Sequence, residues 1–363
     1  MPAPLLSVIV PAHNAAALLP LTLGAILGND LPRSRWELII VDDASTDGTG
    51  EVAARFADRV VSLSGSPHGP GYARNRGVEV TRGEWLVFID ADVVVHADTL
   101  RRFVGAIEGD PEINAVFGAY DDSPVAPGFL SQYRNLLHRY VHESCAGPAE
   151  TFWAGCGAVR RSAFVAVGGF DERRYRRPQI EDIELGYRLR DFGGTILLDP
   201  GIQGAHLKHW GFPGSIRTDL LDRGIPWVRL LLERRRMASQ THLNVKRGER
   251  TKTLLVGLAL LLLFIGVITT SPAVAAVGVA ALLVIIVWNL PLFAWFARHR
   301  GELFALAVVP MNLWYYVMNG VSVVAGVALH LLEGGPQMES RVASTHGFGP
   351  VGEQTRDERT ETP

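Results

Sequence analysis

Apolar residues come in two kinds of run along this chain. In the first half they are short and each is cut off by polar residues; after Thr253 they are long and carry no charge. Leu6 to Pro11, Trp36 to Val41, Val60 to Leu63 and Trp85 to Ile89 are short and rich in β-prone residues, the pattern of strands covered on both faces of a parallel sheet. Between them Ala15 to Leu27, Thr49 to Phe56 and Tyr72 to Val80 read as helices, the second preceded by the N-cap candidates Ser45, Thr46 and Asp47. Alternation of this kind predicts a Rossmann-like, mostly parallel α/β sheet. Farther on, Phe129 to Val141 has amphipathic spacing, Glu181-Asp182 opens a helix through Leu185 and Leu189, and Thr195 to Leu198 reads as a strand.

The long runs are of another nature. No Asp, Glu, Lys or Arg occurs from Thr253 to Ala297 or from Leu303 to Leu332, and a hydrocarbon core about 30 Å thick is crossed by about 20 helical residues. The expectation is about three transmembrane helices, near 253–270, 273–297 and 303–332, within a membrane domain over 251–333. Lys246, Arg247, Arg250 and Lys252 precede the first, and Arg298 and Arg300 lie between the second and third. The positive-inside rule then puts those segments, and the large N-terminal part, in the cytoplasm. Ahead of the spans, Leu221, Ile225, Val228 and Leu232 share one helical face, with Arg223, Arg229, Arg234, Arg235 and Arg236 elsewhere. Residues 216–250 are therefore expected to form an amphipathic interfacial helix and linker on anionic headgroups. Residues 334–363 are polar and read as a disordered tail.

Composition narrows the picture. A formal net charge of -2 with 20% charged residues gives no basic field for nucleic acid. The two cysteines, Cys145 and Cys156, form neither a disulfide framework nor a zinc pattern. Met1 to Ala12 lacks a basic n-region and a long enough apolar run, so no signal peptide is expected there.

Candidate chemistry sits at the strand ends. The second strand stops at Asp42-Asp43 and the fourth at Asp90 and Asp92, and ligands of parallel sheets bind at the carboxyl ends of strands. An Asp in such a place accepts hydrogen bonds from a uracil or a ribose, while paired carboxylates suit Mg²⁺ or Mn²⁺ against a diphosphate. A dinucleotide fold would need G-x-G-x-x-G where this chain has Pro11-Ala12-His13-Asn14-Ala15-Ala16, and a P-loop is absent.

Four blocks carry a resemblance: Ser-Val-Ile-Val-Pro-Ala-His-Asn (Ser7 to Asn14), Val-Asp-Asp-Ala-Ser-Thr-Asp-Gly-Thr (Val41 to Thr49), Gly-Pro-Gly-Tyr-Ala-Arg-Asn-Arg-Gly (Gly69 to Gly77) and Phe-Ile-Asp-Ala-Asp (Phe88 to Asp92). In this order and spacing they resemble family 2 glycosyltransferases of the GT-A fold, and with later motifs the resemblance covers roughly Leu5 to Trp227. It implies a catalytic domain over 1–215 and inverting transfer of a sugar from a nucleoside diphosphate. Pro11, Asn14 and Asp43 would meet the nucleotide. Asp92 would hold a divalent metal, Mn²⁺ or Mg²⁺, with Asp90 toward the ribose or the metal and Arg74 near the phosphates or Asp92. The segment with Trp153 and Gly155 would close over the donor sugar. Asp182 would be the general base and Glu181 its neighbour, since a sugar hydroxyl needs one. His206, with His209 as second choice, would complete the metal site. Asp222-Arg-Gly-Ile-Pro-Trp227 stands where processive members carry Gln-x-x-Arg-Trp; the match is partial, which speaks against polymer extrusion but leaves Arg223 and Trp227 as donor or acceptor contacts.

The resulting expectation is a multi-pass inner (plasma) membrane enzyme with a cytoplasmic catalytic domain. It would move a sugar from a UDP- or GDP-sugar to a hydroxyl of a lipid-linked, glycolipid or glycan acceptor. The alternatives are transfer to a polyprenyl phosphate and a non-catalytic nucleotide-sugar-binding membrane scaffold. A polyprenyl phosphate is already ionised and needs no base, so the Glu181-Asp182 pair favours a hydroxyl.

Overall fold

The computed structural model describes residues 4–234, 243 and 246–333. Arg235, Arg236 and the expected tail over 334–363 lie outside the described residues. The N-terminal part alternates strand and helix as its apolar runs demand: β1 (Leu6–Ala12), α1 (Leu19–Leu27), β2 (Trp36–Asp43), α2 (Thr49–Ala53), β3 (Arg59–Leu63), α3 (Pro70–Glu79) and β4 (Trp85–Ile89). These four strands are parallel, in the order β3-β2-β1-β4. Helix α1 starts at Leu19 rather than at Ala15, because Asn14 to Ala16 are held in a loop by Ser45, Thr49 and Asp47.

The sheet then changes character. It continues through β5 (Val93–Val95), α4 (Thr99–Gly109), β6 (Ile113–Tyr120), α5 (Phe129–Glu143), β7 (Gly147–Ala149), β8 (Cys156–Arg160), α6 (Arg161–Ala166), α7 (Glu181–Asp191) and β9 (Thr195–His206). β8 runs antiparallel to both β4 and β6, and β5 and β7 run antiparallel to β9. The sheet is therefore mixed, with parallel pairing confined to the first four strands and to β6 with β9. One apolar layer lies under α1 and α4, with Leu19, Leu23 and Phe103. The opposite layer lies under α3, α6 and α7, with Phe88, Phe164, Phe170 and Leu185. Burying such aromatic and aliphatic side chains contributes about 1.5–3 kcal/mol each. Glu37, near the start of β2, is satisfied by Ser7 Oγ at 2.7 Å and by the Arg82 backbone and guanidinium.

Beyond β9 the chain forms α8 (Phe212–Arg217), a π-helical stretch (Thr218–Gly224) and α9 (Ile225–Glu233), then α10 (Arg247–Ile268), α11 (Pro272–Trp288), α12 (Leu290–Arg300) and α13 (Glu302–Glu333). α10 and α13 are each long and apolar enough to cross a membrane, and α11 with α12 passes only as a pair bent by 55°. The bend falls at Asn289. Its side chain takes hydrogen bonds from Lys252 Nζ at 2.9 Å and Tyr316 Oη at 3.1 Å and donates to Ile285 O at 3.0 Å, while Pro291 has no N–H to continue the ladder.

α12 turns back onto the N-terminal part. Trp295 Nε1 donates to Glu143, Arg300 donates to Gln132 and to Asp122 O, and Phe296 joins Tyr133 and Leu136 of α5 in one apolar cluster. The face of α9 expected to rest on headgroups meets protein instead, at least at Val228, whose side chain lies against Gly326 of α13.

Candidate active site

Strand ends gather the acids. β1 and β2 stop side by side, Ala12 opposite Asp42, and β4 stops just before Asp90. β5 leaves Asp92 and pairs with the end of β9, Val93 opposite His206, while Leu207 N donates to Asp92 O at 2.9 Å. Short strand pairing thus carries a histidine from far along the chain to the second acid of the Asp90/Asp92 pair. Sheet topology makes the site; sequence proximity does not.

His206 is buried, with Nε2 3.3 Å from Asp92 Oδ2 and Nδ1 2.7 Å from Asn135 Oδ1. With Nδ1–H donating to Asn135, the Nε2 lone pair and the Asp92 carboxylate face each other as two acceptors. Such a pair calls for positive charge, a proton on Nε2 or a divalent cation beside both. Burial resists ionisation of Asp92, but the hydrogen bond and charge of His206, with Lys208 beyond, outweigh it and lower its pKa. Among the described residues no three His, Cys, Asp or Glu converge tightly enough to hold a metal on their own. Mg²⁺-type sites use one or two carboxylates and take their other ligands from water and substrate phosphates, so Asp92 and His206 fit a metal shared with a diphosphate. His209 is exposed and lies outside the cavity described below.

Asp90 is turned elsewhere. Its Oδ1 accepts from Arg74 at 2.6 Å, and the other end of that guanidinium donates to Glu181 Oε1 at 3.0 Å. Burial is the largest influence on Asp90 and leaves its pKa raised despite Arg74. Arg74, only 4% exposed in its side chain, is a tie between the strand-end acids and the α7 acids. Glu181 also accepts from Gln179 N at 3.0 Å, so it is committed to structure.

Asp182 is differently placed. It sits in the first turn of α7, where the helix dipole favours an acid, and its oxygens accept from Ala154 N at 3.1 Å and Ile183 N at 2.8 Å. Burial, reinforced by the charge of Glu181, pushes its carboxyl up to about 7. A carboxylate poised there has the proton affinity of a general base working near neutral pH.

The donor-side candidates divide. Asp43 is buried, and its two oxygens take hydrogen bonds from His68 N, Gly69 N and His68 Nδ1 at 2.8–3.0 Å; it holds the loop before α3. Gly69 needs to be glycine: its φ is +96°, and a Cβ would stand 2.7 Å from the Arg176 backbone. Asn14, at φ 48°, accepts from Thr46 N at 2.9 Å and so clasps the loops after β1 and β2. Trp153 packs edge-on against Tyr120 and His142, and a Cβ on Gly155 would meet its ring at 2.5 Å. Trp227 Nε1 donates to Tyr187 Oη at 3.2 Å.

All of these except Gly155, together with Pro11 and Arg223, line one cavity of about 1460 Å³. It extends from the strand ends past Arg223 and Trp227 to Leu258 on α10 and Val324 on α13. Sequence reasoning expected a helix at Phe129 to Val141 but assigned none of its residues to the site. Ser131, Asn135, His138 and His142 fall four, three and four residues apart, one face of a helix. Ser131 Oγ accepts from Trp210 N at 3.0 Å, Asn135 holds His206, and His142 Nδ1 donates to Gly118 O at 2.9 Å. That polar stripe, at helical spacing, was the available sign.

Residues 7–168 match the model of the family described as Glycosyl transferase family 2. Relatives include a Validoxylamine A glucosyltransferase of Streptomyces hygroscopicus subsp. jinggangensis, 28% identical over 57% of this chain and 56% of its own length. Glycosyltransferase AglE of Haloferax volcanii is 34% identical over 29% of this chain and 36% of its own length. A PGL/p-HBAD biosynthesis glycosyltransferase of Mycobacterium bovis is 37% identical over 32% of this chain and 47% of its own length. The chain thus spans between about a third and just over half of these curated relatives. In fold it is similar to the mannosyltransferase PcManGT from Pyrobaculum calidifontis, solved with GDP-Man and Mn²⁺: TM-score 0.53, 20% identity, covering 92% of this chain and 89% of that one.

Proposed function

We propose, for a chain that carries a glycosyl transferase family 2 domain over residues 7–168, that it transfers a sugar with inversion from a UDP- or GDP-sugar to a hydroxyl of a lipid-linked, glycolipid or glycan acceptor. The reaction takes place at the cytoplasmic face of the inner (plasma) membrane. The observation that carries this reading is one continuous cavity lined by Asp92, His206 and Asp182 and also by apolar residues of α10 and α13, Leu258 and Val324 among them.

Asp92 and His206 would hold Mn²⁺ or Mg²⁺; when bound, the metal neutralises charge developing on the leaving diphosphate. Asp182 accepts the proton of the acceptor hydroxyl as its oxygen bonds to the anomeric carbon. The anomeric carbon–phosphate oxygen bond breaks, and its electron pair leaves with the nucleoside diphosphate. Arg74 keeps Asp90 and Glu181 paired, so that Asp182 is the acid of the α7 pair left to move a proton. Trp153 and Trp227 frame the path of the acceptor. A phosphate acceptor would need no base, and the raised proton affinity of Asp182 supports a hydroxyl.

The test is calorimetric binding of UDP and of GDP to the full chain in nanodiscs, with and without Mn²⁺, beside Asp92→Asn. Metal-dependent binding of one nucleotide, lost in the variant, is expected. Failure of both nucleotides to bind a folded, metal-supplied protein overturns the reading.

A further inference from the structure

By composition α13 is a membrane span: 32 residues with no charge between Leu303 and Leu332. Its contacts say otherwise. At 1.5 Å per residue it is about 48 Å long, well beyond a hydrocarbon core of about 30 Å, yet both of its ends touch the catalytic side.

At the N-terminal end, Phe304 packs on Phe129 of α5 with ring centroids 4.9 Å apart. α5 is the helix whose Asn135 holds His206. At the C-terminal end, Glu333 accepts from Arg229 of α9 at 2.8 Å. α9 is pinned to the catalytic part: Glu233 pairs with Arg174 at 2.7 Å, and Leu230 and Leu231 bury against Tyr175, Ile180 and Tyr187. Between the ends, Trp314 meets Phe212, Ser322 approaches Gly224 and Gly326 receives Val228. The helix follows α8, the π-helical stretch and α9 from one end to the other. A helix that crossed the bilayer would leave that side part-way along.

Its opposite face is apolar throughout. Leu303 and Val321, and Leu306 and Val324, each lie about five turns apart, and with Leu331 and Leu332 they face outward toward the two ends of the helix, while between them Leu313 and Val317 pack with Val256 and Ile285. The exposure is 84% at Leu303 and 83% at Leu332, so this face is open at both ends. The facing side, Val308, Asn312, Tyr316, Ser322 and Gly326, is buried in protein.

We propose that α13 lies in the plane of the membrane interface, as the sole of the catalytic part, with its outward residues in the acyl boundary of a phospholipid bilayer. The occupant is lipid because the outward residues run nearly the whole length of the helix and are free of charge, and because α10, whose first turns meet α13 through Glu249 and Tyr316 at 2.9 Å, leads into the charge-free α11. Only the α10–α11 hairpin then enters the bilayer deeply. The proposal rests on membrane association but not on glycosyl transfer.

The test places a nitroxide spin label on Leu306→Cys, Val324→Cys and Leu331→Cys, singly, in the full chain in phosphatidylcholine–phosphatidylglycerol nanodiscs. Both native cysteines are buried, and unsubstituted protein sets the background labelling. Depth is read from accessibility to oxygen against a water-soluble nickel chelate. The expected result is three shallow, lipid-facing positions agreeing within a few ångströms. A spanning helix would separate Leu306 from Val324 by about 27 Å and overturns the proposal. Nickel accessibility at all three sites overturns it differently, by removing membrane contact itself.

Discussion

Asp182→Asn separates the chemistry of the site from its stability. Folding moves this carboxyl from 3.8 to about 7, chiefly by burial and then by the charge of Glu181. A general base must be deprotonated, so turnover should climb about tenfold for each pH step below 7 and level off above it. At pH 6 only about a tenth of the protein is competent, and at pH 8 about nine tenths. The asparagine variant should lose about 10²- to 10⁴-fold in turnover and keep no inflection near 7.

Stability should move the other way. Between pH 3.8 and about 7 the native state binds a proton that the unfolded chain has released, so stability falls as pH rises through that window. The full cost, present above pH 7, is on the order of 4 kcal/mol at about 1.4 kcal/mol per tenfold change in proton affinity. Asparagine avoids it but has one oxygen for the two backbone donors, Ala154 N and Ile183 N, which returns about 1 kcal/mol. Thermal unfolding of both proteins at pH 5 and pH 8 should therefore show near-equal midpoints at pH 5 and a more stable variant at pH 8. Turnover is followed as nucleoside diphosphate released from whichever UDP- or GDP-sugar binds. A flat wild-type profile from pH 5 to 8, or a variant within tenfold of wild type, would refute the assignment of Asp182 as base.

Asn135→Ala should weaken Mn²⁺-dependent nucleotide binding several-fold while leaving metal-free binding unchanged, measured by calorimetry, because it frees the His206 ring without touching the donor. Arg74→Met removes the cation between Asp90 and Glu181; breaking a buried pair from one side costs about 3–5 kcal/mol, visible as a lower denaturation midpoint. Gly155→Ala sets a methyl 2.5 Å from the Trp153 ring and should raise the KM for the acceptor more than that for the donor if the ring frames the acceptor path.

Legibility followed locality. Asp90 and Asp92 could be read because the run from Trp85 to Ile89 fixes a buried strand and leaves two acids at its exit. Asp182 could be read because a helix start and its acids are neighbours in sequence. Arg74 was placed near Asp92 or the phosphates, whereas its actual partner at this end is Asp90, which sequence order does not choose between. β8 and β5 escaped because Cys156–Arg160 and Val93–Val95 are short and become strands only through the partners they meet. The bend at Asn289 was hidden because a charge-free run says nothing of where an amide will find Lys252 and Tyr316. The lie of α13 is a property of its contacts, and composition holds no record of it.

Helix α5 faces two ways: Asn135 toward His206, Tyr133 and Leu136 toward Trp295 and Phe296 of α12. The protein is therefore not divisible at the point where its hydrophilic part seems to end. A fragment stopping near residue 215 would strip the back of the helix that aims the histidine, exposing Tyr133 and Leu136 to water. Such a fragment should be sticky and slack at the corner where Asp92 meets His206, and harsh detergents that loosen α12 should do the same to the intact chain. Loss of metal response on extraction would then report a mechanical injury at the base, not a chemical one at the site.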